Sequence, residues 1–353
     1  MRKPRILITG ATGKTGAPCV MQLLAKGYPV LAVVRRQDGR SDLLKKAGAE
    51  IFIGSLEDPL DARDAMKGVQ RAYFCPPLEP GALRRATIFV DAAQEAKLEA
   101  AVVLSQWLVD RTHFSIHARE KYLAGKVFEW VSNPGVITVN PGWFADNYMA
   151  ALEPISQFGL MALPFGSGLN APPSNEDIAR VIVGGLTDPA PYIGKTFRPT
   201  GPKLLSPDEI AAVFGKVLGR KVRYQNAPVK LFLKFGKSIG LSDFILTQLN
   251  FFLLDYQRGS FGIGAPTDVV RHMGGAEPED FETIVRRYLD RSPLSRRTPG
   301  PTARAFWNLA RALLTPAPNV DILAEKLGIP IIPHASLAAD SISWRNSHAI
   351  GPA

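Results

Sequence analysis

The sequence predicts an α/β protein with a doubly wound parallel sheet, a smaller mixed C-terminal lobe and an extra C-terminal tail. Short apolar runs alternate with helical patterns through the first half, as in sheets that are buried on both faces. The alternation stops near residue 150, and a basic, proline-containing stretch begins near residue 291. We therefore expect a sheet domain at 1–150, a second lobe at 151–290 whose late strand and helix return to that domain, and a tail at 291–353 that packs on the body.

The first domain contains six candidate strands, each five residues long. They lie at 5–9, 30–34, 50–54, 71–75, 101–105 and 136–140. Helical spacing of apolar residues occupies the gaps, as in "GKTGAPCVMQLLAKG" and "REKYLAGKVFEWVSNPG". In the second lobe, "NEDIARVIVGGLTDP" predicts a helix and "GKTFRPTGP" a late strand, while Ser206 and Pro207 open another helix.

Composition narrows the class of partner. A formal charge of +10 favours anionic ligands, but the chain carries no zinc-finger spacing and no RNA-reading aromatic motif. Cys19 and Cys75 form neither a disulfide framework nor a metal-ligand pattern, which is typical of a reducing compartment. We expect a cytoplasmic protein with a small-molecule substrate, no nucleic acid, no metal and no integral membrane segment, and we allow for a homodimer.

The stretch "ITGATGKTG" raises a choice between two phosphate sites. A P-loop has four residues between its first glycine and Gly-Lys-Thr, and here that first position is Ile8, inside a strand. Three glycines between a first strand and a helix suit a dinucleotide, whose pyrophosphate lies at the helix N-terminus. A tight turn without ligand is the alternative. The expected cofactor residues of this turn are Gly10, Thr12, Gly13, Lys14, Thr15 and Gly16.

The end of the second candidate strand predicts which dinucleotide binds. An NAD site usually has an acidic residue there for the ribose diol, whereas this chain has Arg35 and Arg36. Cations at this place suit a 2′-phosphate, so we expect NADP(H). A solvated basic surface is the alternative.

Several motifs together resemble the NmrA-like family of atypical short-chain dehydrogenases. They are "ILITGATGKTG", "VVRR", "GSLEDP", "TVNPGWFADNY" and "PPSNEDIARVIVGGLTDP". The resemblance covers roughly residues 3–290 and leaves the tail outside. It implies a Rossmann domain that binds NADP(H), and either reductase activity or cofactor sensing without turnover.

The resemblance also assigns cofactor positions at the ends of later strands. It implies that Ser55 and Leu56 approach the adenine. The residues that follow the fourth strand would line the cofactor trough, and those after the sixth would border the nicotinamide. These two sets are Cys75, Pro76 and Pro77, and Asn140, Pro141, Gly142, Trp143 and Phe144.

A short motif predicts the proton donor. Tyr122 and Lys126 are four residues apart and share one helix face, and Ser105 ends the fifth candidate strand. In short-chain dehydrogenases, Tyr donates the proton, Lys tunes it and Ser polarises the carbonyl. An ordinary amphipathic helix is the alternative. His113 and His117 are also four apart, but no third ligand follows them, so we do not expect a metal.

The favoured function is therefore an NADPH-dependent oxidoreductase that acts on a small, largely apolar carbonyl, quinone or conjugated alkene. A non-catalytic NADP(H)-sensing regulator is the alternative. A third reading uses the lysine-spaced apolar helices and the basic tail as a membrane-surface anchor.

Overall fold

The computed structural model describes residues 3–293, 296, 298–330 and 332–349. The strands are β1 (Ile6–Ile8), β2 (Val30–Val34), β3 (Glu50–Ile53), β4 (Arg71–Phe74), β5 (Ala100–Leu104), β6 (Gly135–Val139), β7 (Leu160–Leu163), β8 (Thr196–Phe197) and β9 (Arg223–Asn226). They form one seven-stranded sheet, in the order β3-β2-β1-β4-β5-β6-β8, and one two-stranded sheet of β7 and β9. All pairs in both sheets are parallel.

Helices connect the strands and make up most of the C-terminal half. They are α1 (Gly16–Ala25), α2 (Gly39–Lys46), α3 (Pro59–Ala65), α4 (Ala82–Glu95), α5 (Ile116–Glu129), α6 (Ala145–Tyr148), α7 (Leu152–Phe158), α8 (Asn175–Thr187), α9 (Pro207–Leu218), α10 (Val229–Ser238), α11 (Asp243–Gln257), α12 (Val269–Gly274), α13 (Phe281–Arg291), α14 (Pro299–Leu314), α15 (Val320–Lys326) and α16 (Ile342–Ala349).

The prediction of a doubly wound parallel sheet is confirmed. Side chains alternate between its faces, so Ile6 and Ile8 pack against α1, α8 and α12 while Leu7 packs against α3, α4 and α5. The six candidate strands correspond to β1–β6, and the late strand is β8. Each carboxyl end points to the same edge, which places the following loops side by side.

The second lobe contains a small sheet that the sequence pattern does not indicate. Strand β7 is only four residues long, and β9 is a largely exposed polar segment, "RYQN". Neither shows clear apolar alternation. Their pairing comes from tertiary packing over a separate aromatic core that includes Tyr148, Phe165 and Tyr256. The division at 150 and 290 stays a prediction.

The tail contacts the body in two different ways. Trp344 of α16 is 2% exposed and lies in the second-lobe core. Helix α14 instead packs on α7 and α10 through small residues, because Ala305 and Ala312 are buried while Trp307 and Leu314 are 69% and 84% exposed. This packing leaves the largest apolar side chains of "AFWNLARALL" exposed. Among the described residues, no helix combines the length and the hydropathy needed to cross a bilayer.

Candidate functional site

Hydrogen bonds join the segments that follow the central strands of the sheet. The amide of Cys75, after β4, donates to Thr9 Oγ1, after β1, at 2.8 Å. The amide of Trp107, after β5, donates to the carbonyl of Pro141, after β6, at 3.1 Å. The cofactor segments predicted from sequence therefore form one continuous edge of the sheet.

The glycine turn between β1 and α1 needs its glycines for its own geometry. Gly10 has a φ of +57°, and its carbonyl accepts from the Gly13 amide at 2.8 Å. A β-carbon at position 13 would lie 2.9 Å from the Gly10 carbonyl oxygen, and one at position 16 would overlap with it. The turn is thus tight enough to place the N-terminus of α1 directly after β1.

That helix terminus suits a diphosphate. In the described part of the chain, no side chain caps α1 and its first turn contains no acidic residue. Gly10, Gly13 and Lys14 are exposed on the turn, and Thr12 is half-buried. Thr15 points inward instead, because its hydroxyl bonds to Tyr73 Oη at 2.9 Å. Backbone amides at an uncapped N-terminus are natural partners for an anion.

Lys14 also links the turn to the segment that follows β6. Its ammonium pairs with the carboxylate of Asp146, which follows the Pro-Gly-Trp-Phe element. The hydroxyl of Tyr288 donates to the other oxygen of the same carboxylate. Burial and the adjacent carboxylate raise the pKa of Tyr288 well above its usual range, so this phenol stays a donor. Asp146 therefore joins the Lys14 ammonium of the glycine turn to the Tyr288 hydroxyl of α13.

Arg35 and Arg36 extend into solvent at the end of β2. Their side chains are 79% and 80% exposed, and the carboxylates paired with them, Glu79 and Asp38, lie at 3.8 and 3.9 Å. Asp38 is already engaged, because it caps α2 and accepts from Arg40 at 2.6 Å. Both guanidinium groups therefore make only long ion pairs and stay exposed to solvent at this strand end.

The remaining predicted cofactor residues lie along the same edge. Ser55 and Leu56 are half-buried directly after β3, and the Ser55 amide donates to Asp61 at 2.8 Å. After β4, Cys75 is half-buried, while Pro76 is buried and Pro77 is exposed.

The segment after β6 divides between the edge and the core. Asn140 is buried, and its side-chain oxygen has no partner among the described residues. Gly142 and Phe144 are half-buried. Trp143 packs edge-on against Phe165, Tyr256 and Phe261 with ring centroids 5.8 Å apart, so its ring belongs to the second-lobe core.

A lysine that the sequence reasoning missed occupies the strand ends. Lys121 is buried, and its Nζ donates to the carbonyl of Leu104, the last residue of β5, at 2.6 Å. It lines a niche of about 30 Å³ together with Ser105, Pro76 and Thr138. Burial lowers the pKa of Lys121 to about 8. Such a niche holds about one water molecule and is too small for a substrate.

The structure does not bring Lys126 to Ser105. Lys126 Nζ pairs with Glu129 at 2.6 Å, and its side chain is 38% exposed. It lies 5.6 Å from the ring centre of Tyr122, which is half-buried, and neither residue lines the niche. Around the helix axis, Lys121 is offset by about 100° from Tyr122 and by about 140° from Lys126, since successive helical residues turn by about 100°. The catalytic roles of Ser105, Tyr122 and Lys126 stay predictions.

The two histidines between β5 and α5 have separate environments. His113 Nε2 lies 2.7 Å from Asp255, and both groups are buried between the lobes and the tail. His117 is four residues before Lys121 and packs edge-on against Phe244. Burial and the Lys121 charge lower the pKa of His117 to about 3, so it is neutral.

The model of the NmrA-like family matches residues 2–258, more than half of the chain. This chain belongs to the NmrA-like family. The match contains the glycine turn, Arg35, Arg36 and Lys121, and it ends before the tail.

Proteins that are similar to this chain in sequence or structure carry more than one function. An NAD(P)H azoreductase of Xenophilus azovorans is 27% identical over 62% of this chain and 76% of its own. An Escherichia coli NADPH-dependent quinone oxidoreductase, solved with NADPH, has a TM-score of 0.69 at 23% identity. The likeness covers 80% of this chain and 99% of the E. coli chain. NmrA, a negative transcriptional regulator solved with NADP, has a TM-score of 0.69 at 17% identity, covering 84% and 100%. The two structural likenesses concern the fold.

Proposed function

We propose that this NmrA-like protein is an NADPH-dependent oxidoreductase that reduces a small, largely apolar carbonyl, quinone or conjugated alkene. The observation that carries the proposal is Lys121, a buried amine at the carboxyl end of β5. A pKa near 8 suits a group that donates a proton or a hydrogen bond at neutral pH.

Different residues of the chain would bind different parts of NADPH. NADPH supplies the hydride when it is bound. The uncapped N-terminus of α1 and the exposed edge of Gly10 and Gly13 would hold the diphosphate. Arg35 and Arg36 would bind the 2′-phosphate, and the segment after β4 would border the dinucleotide.

Lys121 takes the place that the sequence motif gives to Lys126. Its Nζ already donates to Leu104, so the ammonium is held by one bond and has further N–H groups to offer. With Ser105 beside it, it would bond to the substrate oxygen that becomes negative during reduction. Tyr122 would donate the proton only if a substrate reached it. Otherwise solvent would supply that proton.

The relatives support the class more strongly than the substrate. Several similar proteins are NAD(P)H-dependent reductases, including the azoreductase and an E. coli quinone oxidoreductase that is 26% identical. NADP(H) as cofactor and the oxidoreductase class are confirmed at this level. The choice among carbonyl, quinone and alkene stays a prediction.

The regulatory alternative has one observation in its favour. Lys126 pairs with Glu129, neither Lys126 nor Tyr122 lines the niche beside Ser105, and the NmrA regulator shares the fold. A regulator of this type would bind NADP(H) without consuming it.

The deciding experiment measures NADPH oxidation by the full chain with a panel of quinones, aldehydes, enones and azo dyes. An oxidoreductase gives steady turnover with at least one compound, and the Lys121→Met variant loses it while still binding NADPH. Tight NADPH binding with no turnover on any compound would favour the regulator.

A further inference from the structure

The outward side of α14 is an apolar surface made by one helix. Trp307 and Leu314 are exposed, and Phe306 is exposed although its ring also contacts that of Phe158 in α7, with centroids 4.8 Å apart. Ala305 and Ala312 face the body. Their spacing of three and four residues gathers the exposed side chains into a stripe. We define the outer α14 face as Phe306, Trp307, Ala310, Leu313 and Leu314.

Basic side chains border this face. Helices α10 and α14 pack together and contain five lysine or arginine residues and no acidic residue. Lys234 Nζ donates to the carbonyl of Leu313 at 2.6 Å, which places the lysine row of α10 beside the C-terminal end of the face. Lys230 and Lys237 share that row, because they lie four residues before and three after Lys234.

Most of this charge is not neutralised within the protein. Arg304 pairs with Glu153 at 2.7 Å. Lys230, Lys237 and Arg311 form no ion pair with any carboxylate of the described residues. An exposed stripe of Trp, Phe and Leu flanked by unpaired cations is therefore open on one side of the molecule.

We propose that the outer α14 face and the α10 lysine row seat the protein on the surface of an anionic lipid bilayer. Aromatic and leucine side chains enter the boundary between headgroups and acyl chains, and Lys and Arg contact the phosphates. With 16 residues and two arginines, α14 is shorter than the roughly 20 apolar residues that span a bilayer, so it lies in the interface.

The charge of the surface favours an anionic bilayer over a second copy of the chain as its partner. Two copies joined through this face would bring their unpaired lysines and arginines together, and like charges repel. An anionic bilayer complements both the cations and the apolar stripe. The inference does not depend on the reaction, and the face lies outside the matched range 2–258.

The experiment uses the full chain and vesicles of phosphatidylcholine, with or without an equal part of phosphatidylglycerol. We expect co-sedimentation with the anionic vesicles, weaker binding at high salt, and little binding to phosphatidylcholine alone. Trp307→Ser should lower the affinity at least several-fold. Trp130→Ser is the matched control, because Trp130 is 77% exposed on another helix end and should not matter.

A second pair of variants tests the charges. Lys230→Gln combined with Lys237→Gln should weaken binding by roughly 30-fold, since each cation near such a surface is worth about fivefold. The control pair, Lys45→Gln with Lys46→Gln, removes the same charge from α2 and should bind like the parent.

Three results would overturn the inference. One is no binding of the parent to anionic vesicles. Another is equal binding by Trp307→Ser and Trp130→Ser. The third is a dimer in solution by sedimentation equilibrium with Trp307 shielded from a soluble quencher, which would assign the face to self-association.

Discussion

Replacing Lys121 by methionine should stabilise the protein and remove its turnover in the same variant. The reason is that Lys121 carries an ammonium group among buried atoms at the end of β5. Methionine has similar length and no charge, so it occupies the space without the desolvation cost. Stability and activity therefore change in opposite directions, as is common at active sites.

The magnitude follows from the pKa of Lys121. A fall from 10.5 to about 8 corresponds to about 3 kcal/mol of destabilisation of the charged folded form. The whole cost applies below pH 8, where both folded and unfolded chains carry the proton. It disappears as the pH rises from about 8 to 10.5, because the folded chain has then released a proton that the unfolded chain still holds.

The variant also loses the hydrogen bond to Leu104, worth roughly 1–2 kcal/mol. We expect Lys121→Met to be about 1–2 kcal/mol more stable than the parent at pH 7. That advantage should shrink toward zero or reverse above pH 10.

Denaturant unfolding at several pH values and NADPH oxidation assays together test this reasoning. Turnover should fall by roughly 10²–10⁴-fold, the usual contribution of a positioned acid. Lys126→Met is the control and should change both quantities little, because Lys126 pairs with Glu129 near the surface. A variant that is less stable than the parent at pH 7 would refute the burial argument. Unchanged turnover in Lys121→Met would contradict a role for Lys121 in the reaction. A large loss of turnover in Lys126→Met would support the sequence-based triad instead.

Three further predictions concern the cofactor turn and the tail. In calorimetry, the parent should bind NADPH at least about tenfold more tightly than NADH, a difference of about 1.4 kcal/mol, and Arg35→Asp should remove that difference. Equal affinities in the parent would contradict the NADP(H) assignment. Gly16→Ala should abolish dinucleotide binding and lower stability, because its β-carbon overlaps with the Gly10 carbonyl, whereas Gly39→Ala, which meets nothing, should be silent in both assays. Trp344→Ala should cost about 3–5 kcal/mol of unfolding free energy, and a small loss would show that the tail is not part of the core.

The sheet could be predicted from sequence because its strands are buried on both faces and read as continuous apolar runs. Residues 30–34, for example, are all buried and all apolar. Strand β9 could not be predicted, because its exposed polar residues pair with β7 only through the packing of the second lobe. The glycine turn was recognisable since its backbone geometry demands glycine at fixed spacing.

Lys121 was not predicted from sequence, because the Tyr122 and Lys126 motif lies on the neighbouring face of the same helix. Lys121, Ala124, Gly125 and Phe128 follow one another at helical spacing, and small residues beside a lysine indicate a helix that packs closely on the sheet. That pattern places Lys121 against β5 and leaves Lys126 outside. The exposure of the large apolar residues of α14 could not be predicted from sequence. Hydrophobicity alone does not say which face of a helix the body covers.

The formal charge of +10 indicates an anionic partner but does not identify it. In the structure, basic side chains lie on two separate surfaces. Arg35 and Arg36 lie at the sheet edge beside the glycine turn, while Lys230, Lys237 and Arg311 flank the outer α14 face. High salt would weaken binding at both places, so salt dependence cannot distinguish them. Competition can, because saturating NADPH should leave vesicle binding intact if the two surfaces are independent. Displacement from vesicles by NADPH would mean that the lipid phosphates occupy the cofactor edge, and the α14 face would then have no part in that binding.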